Sequence, residues 1–397
     1  MACQCENLKR LEKKFGKHPI TNKPVYLDYA ASTIPDLRTV AEFERICRTI
    51  IGNPSSFHYA GLLSAQELET SRETVASYLG WKPGEIYFCS GGTEALNTAI
   101  FGLRTKKSKF ITTAIEHASI MKPVEYLAKK GFLTSIIPVD ADGRINIEVL
   151  QNELDSSREN IFIYSPVNHE TGSIQLIKEI FDAVKKVNGI VIMDAVQTMS
   201  KLLPNYWACY ADCIALSSHK VYAPKGSGAL CIKKNIHIRP MRFGGNQENG
   251  LFPGTPNLPG IAAFAKSITI LRDDFINDTA HLNGLTQDLK NLLKKLDVPV
   301  IINSPETSVP GILNFSLPSI DNIEKLIIFL TQKNISISRF SACSKTINIP
   351  SLILTKMGID KERAMKSLRI SLGKFSTRDD LFKLLHAIND YCKKNNF

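Results

Sequence analysis

The 397-residue sequence contains no apolar run near the ~18–20 residues that cross a bilayer as a helix, and stretches such as GIVIMDA at 189–195 have only the length of buried strands. The opening residues, MACQCENLKRLEKKFGK, lack the apolar core of a secretory signal, and Glu6 and Glu12 among the bases argue against a transit peptide. Cytoplasmic is therefore the expected compartment, with no membrane partner. Disulfide chemistry is also missing: the nine cysteines are odd in number and scattered from Cys3 to Cys392, which suits a reducing environment. No pair has the C-x₂-C spacing of a common zinc site, so no metal is expected. There is no internal repeat, no low-complexity segment and no run of five like charges.

The composition that remains, 44% hydrophobic and 22% charged, is that of a globular chain with a large core. Its net charge of +11 gathers at the ends, with six bases against two acids in residues 1–25 and ten against five in 356–397. Without a ribbon of interleaved aromatics this reads as a solvated basic surface, and no direct nucleic-acid binding is expected. Short β-rich runs at Ile86–Cys89, Phe110–Thr113, Leu133–Val139, Ile161–Tyr164, Ile190–Asp194, Cys213–Leu216 and Ala229–Ile232 alternate with amphipathic segments. Alternation of this kind predicts βαβ units, hence an α/β fold with a mainly parallel sheet. The pattern breaks at PGTPNLP (253–259), before a helical run from Ile261 to Leu271. The expected division is an N-terminal arm at 1–27, a large α/β domain at 28–262 and a smaller α+β domain at 263–397.

Ligands of such sheets bind outside the carboxyl ends of the strands. There the sequence concentrates polar groups: a glycine-rich turn Ser90-Gly91-Gly92-Thr93, then Glu116-His117, Asn168-His169-Glu170, Asp194 with Gln197, and Ser217-Ser218-His219-Lys220. Together these suit pyridoxal phosphate, which needs a lysine amine for a Schiff base, a carboxylate for its pyridine nitrogen, an anion cradle and a flat group against its ring. Lys220 and Asp194 are the candidates for the first two.

The blocks LDYAAS (27–32), NPSSFH (53–58), SGGTEALN (90–97), EHASI (116–120), VNHETG (167–172), DAVQ (194–197), SSHKVYAPKGSGAL (217–230) and RISLGKF (369–375) resemble the class V aminotransferases. Within them they resemble the cysteine desulfurases of the NifS/IscS type. The resemblance implies the pyridoxal phosphate-dependent transferase fold type I. It implies that Lys220 carries the cofactor, Asp194 pairs with its ring nitrogen, Gln197 bonds its phenolic oxygen and His117 stacks on the ring. Gly92, Thr93, Ser217 and His219 would hold the phosphate, Asn168 would lie beside substrate and cofactor, and Arg369 would take the substrate carboxylate. Thr255 would reach the phosphate in the other subunit of a homodimer.

Cys343, in SRFSACSK (338–345), has polar neighbours, and Arg339 and Lys345 are expected to favour its thiolate. By the resemblance it is the nucleophile that attacks the sulfur of L-cysteine, leaving alanine and a persulfide destined for a sulfur-acceptor protein. Similar enzymes serve iron–sulfur cluster assembly, tRNA thiolation, cofactor thiolation and DNA modification. A selenocysteine lyase, or another pyridoxal phosphate-dependent lyase that does not use Cys343, is the alternative. The chain departs from the family in having Phe252-Pro253 where an Arg-Ser is usual and SKTINIP after Cys343. Arg239 is expected near the site, and Cys3 and Cys5 in a tail.

Overall fold

The computed structural model describes residues 24–339 and 349–395. Cys3, Cys5 and Cys343, with most of the N-terminal arm, lie outside the described residues. A short strand β1 (Val25–Tyr26) and two helices, α1 (Leu37–Thr49) and α2 (Tyr59–Leu79), lead into the alternating region. This comprises β2 (Ile86–Cys89), α3 (Gly92–Gly102), β3 (Ser108–Thr113), α4 (Ala118–Lys129), β4 (Leu133–Ile137) and α5 (Ile147–Glu153). It continues with β5 (Glu159–Tyr164), α6 (Ile177–Lys185), β6 (Ile190–Asp194), β7 (Cys213–Ser217) and β8 (Gly228–Ile232). The last part holds α7 (Leu258–Leu293), β9 (Ile301–Ile302), β10 (Ile312–Ser316), α8 (Ile323–Gln332) and β11 (Ile335–Ser336). After these come α9 (Leu352–Lys356), α10 (Lys361–Met365), β12 (Ser367–Ser371) and α11 (Arg378–Lys394).

Seven strands form the large sheet in the order β2-β8-β7-β6-β5-β3-β4. Only β8 runs against its neighbours, so the α/β architecture and mainly parallel sheet expected from the sequence are what the chain adopts. From β3 the chain steps outward to β4 and returns on the other side of β3 as β5. Such a reversal opens a crevice at the carboxyl ends of the strands.

Strand periodicity divides the core between the two faces of the sheet. Ile161, Ile163, Ile192, Cys213 and Ala215 pack with Leu96 and Ile100 of α3 and Val124 and Leu127 of α4. Phe162, Tyr164, Val191, Met193, Ile214 and Leu216 pack with α2, α6 and the start of α7 on the other face. A smaller antiparallel sheet, β12-β10-β9, and the parallel pair β1-β11 share a third cluster with α8, α11 and the end of α7. The break read at PGTPNLP is the start of a 36-residue helix: Asn257 caps it by accepting from Gly260 N–H (3.2 Å), and Pro259 fits its first turn. Residues 258–275 of α7 contribute to one core and 282–293 to another, so the helix joins the two.

Between β8 and α7 the chain passes through two consecutive non-glycine residues in the left-handed region, Glu248 (φ 48°) and Asn249 (φ 55°). Each such residue stores on the order of 1–3 kcal/mol and persists only where its surroundings hold it. Here Arg72 of α2 donates Nη1 and Nη2 to Glu248 Oε2 and Oε1 at 2.8 and 2.9 Å, and Phe88 N–H donates to Oε2 at 2.8 Å. Breaking a buried pair from one side strands the other charge, at about 3–5 kcal/mol. Glu248→Ala should therefore lower stability by about 3 kcal/mol in denaturant titration, and Arg72→Met with Glu248→Leu should recover part of it. A loss under about 1 kcal/mol in Glu248→Ala would show that the pair does not hold the segment.

Candidate active site

The strand alternation that sorts the core also aims the site residues. Positions 161 and 163 of β5, 192 of β6 and 213 and 215 of β7 face α3 and α4. The next residues of the same parity are Ser165, Asp194 and Ser217, at or just past the strand ends, and all three line one cavity of about 220 Å³. Across from them the turn at Gly91 opens into α3, whose first two residues, Gly92 and Thr93, line the cavity. Gly91 has φ 151°, which only glycine adopts freely, and a Cβ on Gly228 would lie 2.6 Å from Gly91 Cα and 2.4 Å from Leu216 O. The turn is thus pressed against β8, which sets it beside Ser217.

Lys220 ends a single helical turn after β7 and reaches the cavity floor, where Nζ donates to Ala31 O at 2.9 Å and to Ala30 O. Gln197 Nε2 donates to the same Ala30 oxygen at 2.8 Å. The backbone behind the lysine is constrained, because Tyr222 sits at φ 65° and is held by Thr33 Oγ1 on its N–H (2.9 Å) and Lys374 N–H on its hydroxyl (3.0 Å). The 27–33 segment is itself pinned to the end of β12 through Leu27 O, Tyr29 N–H and Ala30 N–H, all bonded to Ser371. Arg369 projects from that strand into the cavity; it is 1% exposed, with Nη2 donating to Asp28 Oδ1 at 2.7 Å and Nη1 to His169 O at 2.9 Å.

His117 caps α4, and its Nδ1 accepts from Ser119 N–H at 3.1 Å, so the neutral ring carries its proton on Nε2. Burial lowers its pKa, helped by Lys220 and opposed by Asp194. Asp194 is raised by burial and pulled back by His117, the Val196 N–H and Lys220. Behind them Glu116 is buried with Thr113 Oγ1 at 2.6 Å and Ser165 Oγ and N–H at 2.7 and 2.9 Å, and burial pushes its pKa up to about 8. His219, against Ser32, is brought down to about 4 by burial and by Lys220 and Lys225.

Of the residues singled out in the sequence, Gly92, Thr93, His117, Asp194, Gln197, Ser217, His219, Lys220 and Arg369 meet in this cavity. Asn168 does not line it. Its Oδ1 accepts from Glu170 N–H and Thr171 N–H and its Nδ2 donates to Ile115 O, so the amide shapes the turn while His169 takes the wall. Thr255 and Arg239 are exposed and lie off the cavity of their own chain. Arg339 bonds Glu324 (2.9 Å) and Met365 O (2.8 Å), while the Cys343 thiolate it is expected to favour lies outside the described residues. Phe252, in place of the family arginine, is buried in the α3–α4 cluster. Asp28, Glu116, Ser165 and His169 received no role from the sequence, although the parity of β5 pointed to Ser165.

The donor set fits pyridoxal phosphate. Asp194, a buried carboxylate with no salt bridge among the described residues, lines the cavity together with the Lys220 amine, and a pyridinium would neutralise it. The Gly91–Thr93 turn, Ser217 and His219 form an anion cradle at the helix N-terminus.

Comparisons with known proteins agree. The class-V aminotransferase family pattern matches residues 25–384. The chain is 33% identical over 377 residues to a protein named cysteine desulfurase IscS from Dictyoglomus turgidum, covering 94% of this chain and 95% of that one. It is 32% identical over 380 residues to the mitochondrial cysteine desulfurase of Saccharomyces cerevisiae, covering 94% of this chain and 75% of that one. A solved structure described as a NifS-like protein superposes with a TM-score of 0.86 at 32% identity, covering 94% of this chain and all 100% of that one.

The buried Glu116 has a measurable signature. Its folded pKa of about 8 lies above the unfolded value of 4.5, so it stabilises the fold in full below 4.5 and the contribution is lost as pH rises through 8. Between pH 5 and 8 the melting temperature of the wild type should therefore fall more steeply than that of Glu116→Gln. Equal slopes in the two proteins would mean that Glu116 is ionised in the folded state.

Proposed function

The chain belongs to the class-V aminotransferase family and is a pyridoxal phosphate-dependent cysteine desulfurase. From that premise we propose that Cys343 takes the sulfur of L-cysteine as a persulfide and delivers it to a sulfur-acceptor protein. The observation that carries this is the anchoring of the Cys343 segment. Ser338 exchanges backbone hydrogen bonds with Arg369 (2.7 and 3.3 Å), so the chain leaves for Cys343 from the strand that bears the carboxylate-binding arginine. Cys343 lies four positions beyond Arg339, a reach of about 13 Å for extended chain. At the far end Ser351 caps α9, and Ile353 and Met357 pack against Ile115, two residues before His117.

When bound, the cofactor supplies an electron sink that makes the α-carbon of an amino acid acidic. Lys220 holds it, Asp194 keeps its ring nitrogen protonated, Gln197 bonds its phenolic oxygen and His117 covers its ring. The phosphate rests on Gly92, Thr93, Ser217 and His219. Arg369 pairs with the substrate carboxylate, and the Lys220 amine moves the α-proton. The Cys343 thiolate then attacks the substrate sulfur: an S–S bond forms, the carbon–sulfur bond breaks and its electron pair stays with carbon, which takes a proton. The balance is one L-cysteine and one thiol in, one L-alanine and one persulfide out.

A homodimer completes the site in this reading. Phe57 (97% exposed), Tyr59 (76%) and Phe243 (92%) are exposed aromatic rings that a partner subunit could cover, and Thr255 lies off its own cavity, where it can serve the partner's phosphate. The six described cysteines are all free thiols, which supports a reducing compartment such as the cytoplasm. Iron–sulfur cluster assembly and tRNA thiolation are the acceptor pathways we favour.

Purified protein given L-cysteine and a reductant should release alanine and sulfide in equal amounts. Cys343→Ala should retain the yellow cofactor and lose about 10³-fold or more of both products. Equal activity in the two would assign the chemistry to a lyase that does not use Cys343.

A further inference from the structure

His169 follows β5 on the cavity wall, in the place the sequence pattern suggested for Asn168. Its ring stands edge-on to that of His117, with centroids 5.4 Å apart and planes at 84°. Neither ring nitrogen hydrogen-bonds to another described residue, whereas His117 has Ser119 and His219 has Ser32. Its own carbonyl receives Arg369 Nη1 at 2.9 Å, which places the guanidinium beside it. Arg369 has a donor to spare as well, because Nε is buried with no hydrogen-bond partner among the described residues. A buried donor left without a partner, as Arg369 Nε is among the described residues, is unfavourable by about 1–3 kcal/mol, and with the His169 ring beside it on the cavity wall the pair calls for one ligand that bonds both.

We propose that His169 is a substrate-contacting residue whose neutral imidazole hydrogen-bonds the carboxylate of the bound amino acid beside Arg369, coupling substrate binding to proton uptake. The proposal rests on the reading that Arg369 takes that carboxylate. His117 from the start of α4, Lys220 from the turn after β7 and Arg369 from β12 all face His169, and with burial they hold its pKa well below the ordinary value. Arg369 is accompanied by Asp28, and Glu170, next in the chain, is pushed by burial up to about 7. A substrate carboxylate adds a negative charge beside Arg369 and Lys220, which raises the affinity of the ring for a proton. Amino-acid binding should therefore tighten as pH falls, in a way that depends on His169.

The test uses the cofactor-loaded enzyme and L-alanine, the product, which has no sulfur to lose, with affinity read from the cofactor absorbance between about pH 6 and 8.5. In the wild type L-alanine should bind more tightly toward low pH. His169→Gln keeps a neutral donor, so affinity at high pH should stay within about threefold while the pH dependence flattens. Glu170 is intact in both proteins, so it cannot account for that difference. His169→Phe keeps a ring against His117 but no donor, and affinity should fall about tenfold or more. Unchanged affinity and an unchanged pH profile in His169→Phe would reduce His169 to a packing partner of His117 and overturn the proposal. Arg369→Lys separates the two levels: if it weakens L-alanine and His169→Phe does not, the role of His169 alone fails. If neither change weakens it, the placement of the carboxylate fails first. Cofactor loading and melting temperature verify folding, and if His169→Phe does not fold, the profile of His169→Gln decides.

Discussion

The site depends on a charge that has to be kept inside the protein. Arg369 is almost wholly buried where the end of β12 meets the 27–33 segment, and Asp28 is the carboxylate that makes this tolerable. Burial raises the pKa of Asp28 and Arg369 pulls it back, as expected of two ions that each need the other. The same segment supplies the Ala30 and Ala31 carbonyls that receive Lys220 and Gln197. One ion pair therefore fixes the distance between the sheet that bears the lysine and the sheet that bears the arginine. The backbone bonds from Leu27, Tyr29 and Ala30 to Ser371 hold that distance rigidly.

Around this frame the titratable groups are held in unequal states by environment. Glu116 is kept protonated at neutral pH by burial, while Asp194, raised by burial as well, has His117 and Lys220 to favour its anion. The Ser165 hydroxyl, which bonds Glu116 Oε2 at 2.7 Å, lowers the pKa of both carboxyls, so the difference comes from the charges beside Asp194. The imidazoles of His117, His169 and His219 are all shifted toward the neutral form. A site with one buried anion, neutral imidazoles and two cations is a setting for an anionic, phosphorylated ligand and a zwitterionic substrate.

Much of this was legible before the fold was known. The strands of the large sheet could be read because buried β5, β6 and β7 are dense in isoleucine, valine and leucine bounded by polar turns. Lys220, Asp194 and His117 could be read because each follows such a strand. Helix α2 was not read because its buried face is built from Gly61, Ser64, Ser71 and Arg72 as much as from Leu68 and Val75, so no apolar period of 3.6 stands out. Helix α7 starts at Leu258, three residues before the helical run read from Ile261, because Pro259 punctuates turns and first helical turns alike. The exchange of Asn168 for His169 was invisible for another reason. Which of two adjacent polar residues faces a cavity is set by the Asn168–Thr171 turn, whose hydrogen bonds are local and carry no periodic signal. The Asp28–Arg369 pairing joins residues 341 positions apart, and nothing in one sequence announces such a contact.

That separation has a consequence for how the protein comes into being. A chain made at about 5–20 residues per second leaves Asp28 waiting roughly 20–70 s for its partner, 341 residues downstream, to emerge. In that interval strands β3 to β7, whose pairings are close in sequence, can condense on their own, since local pairings close first. Residues 25–29 have no such option, for β1 pairs with β11 and Leu27 and Tyr29 with Ser371. The Asp28–Arg369 side of the site can therefore close only after β12 has been made. A nascent or truncated chain can carry an intact lysine, aspartate and phosphate cradle and still have no substrate site.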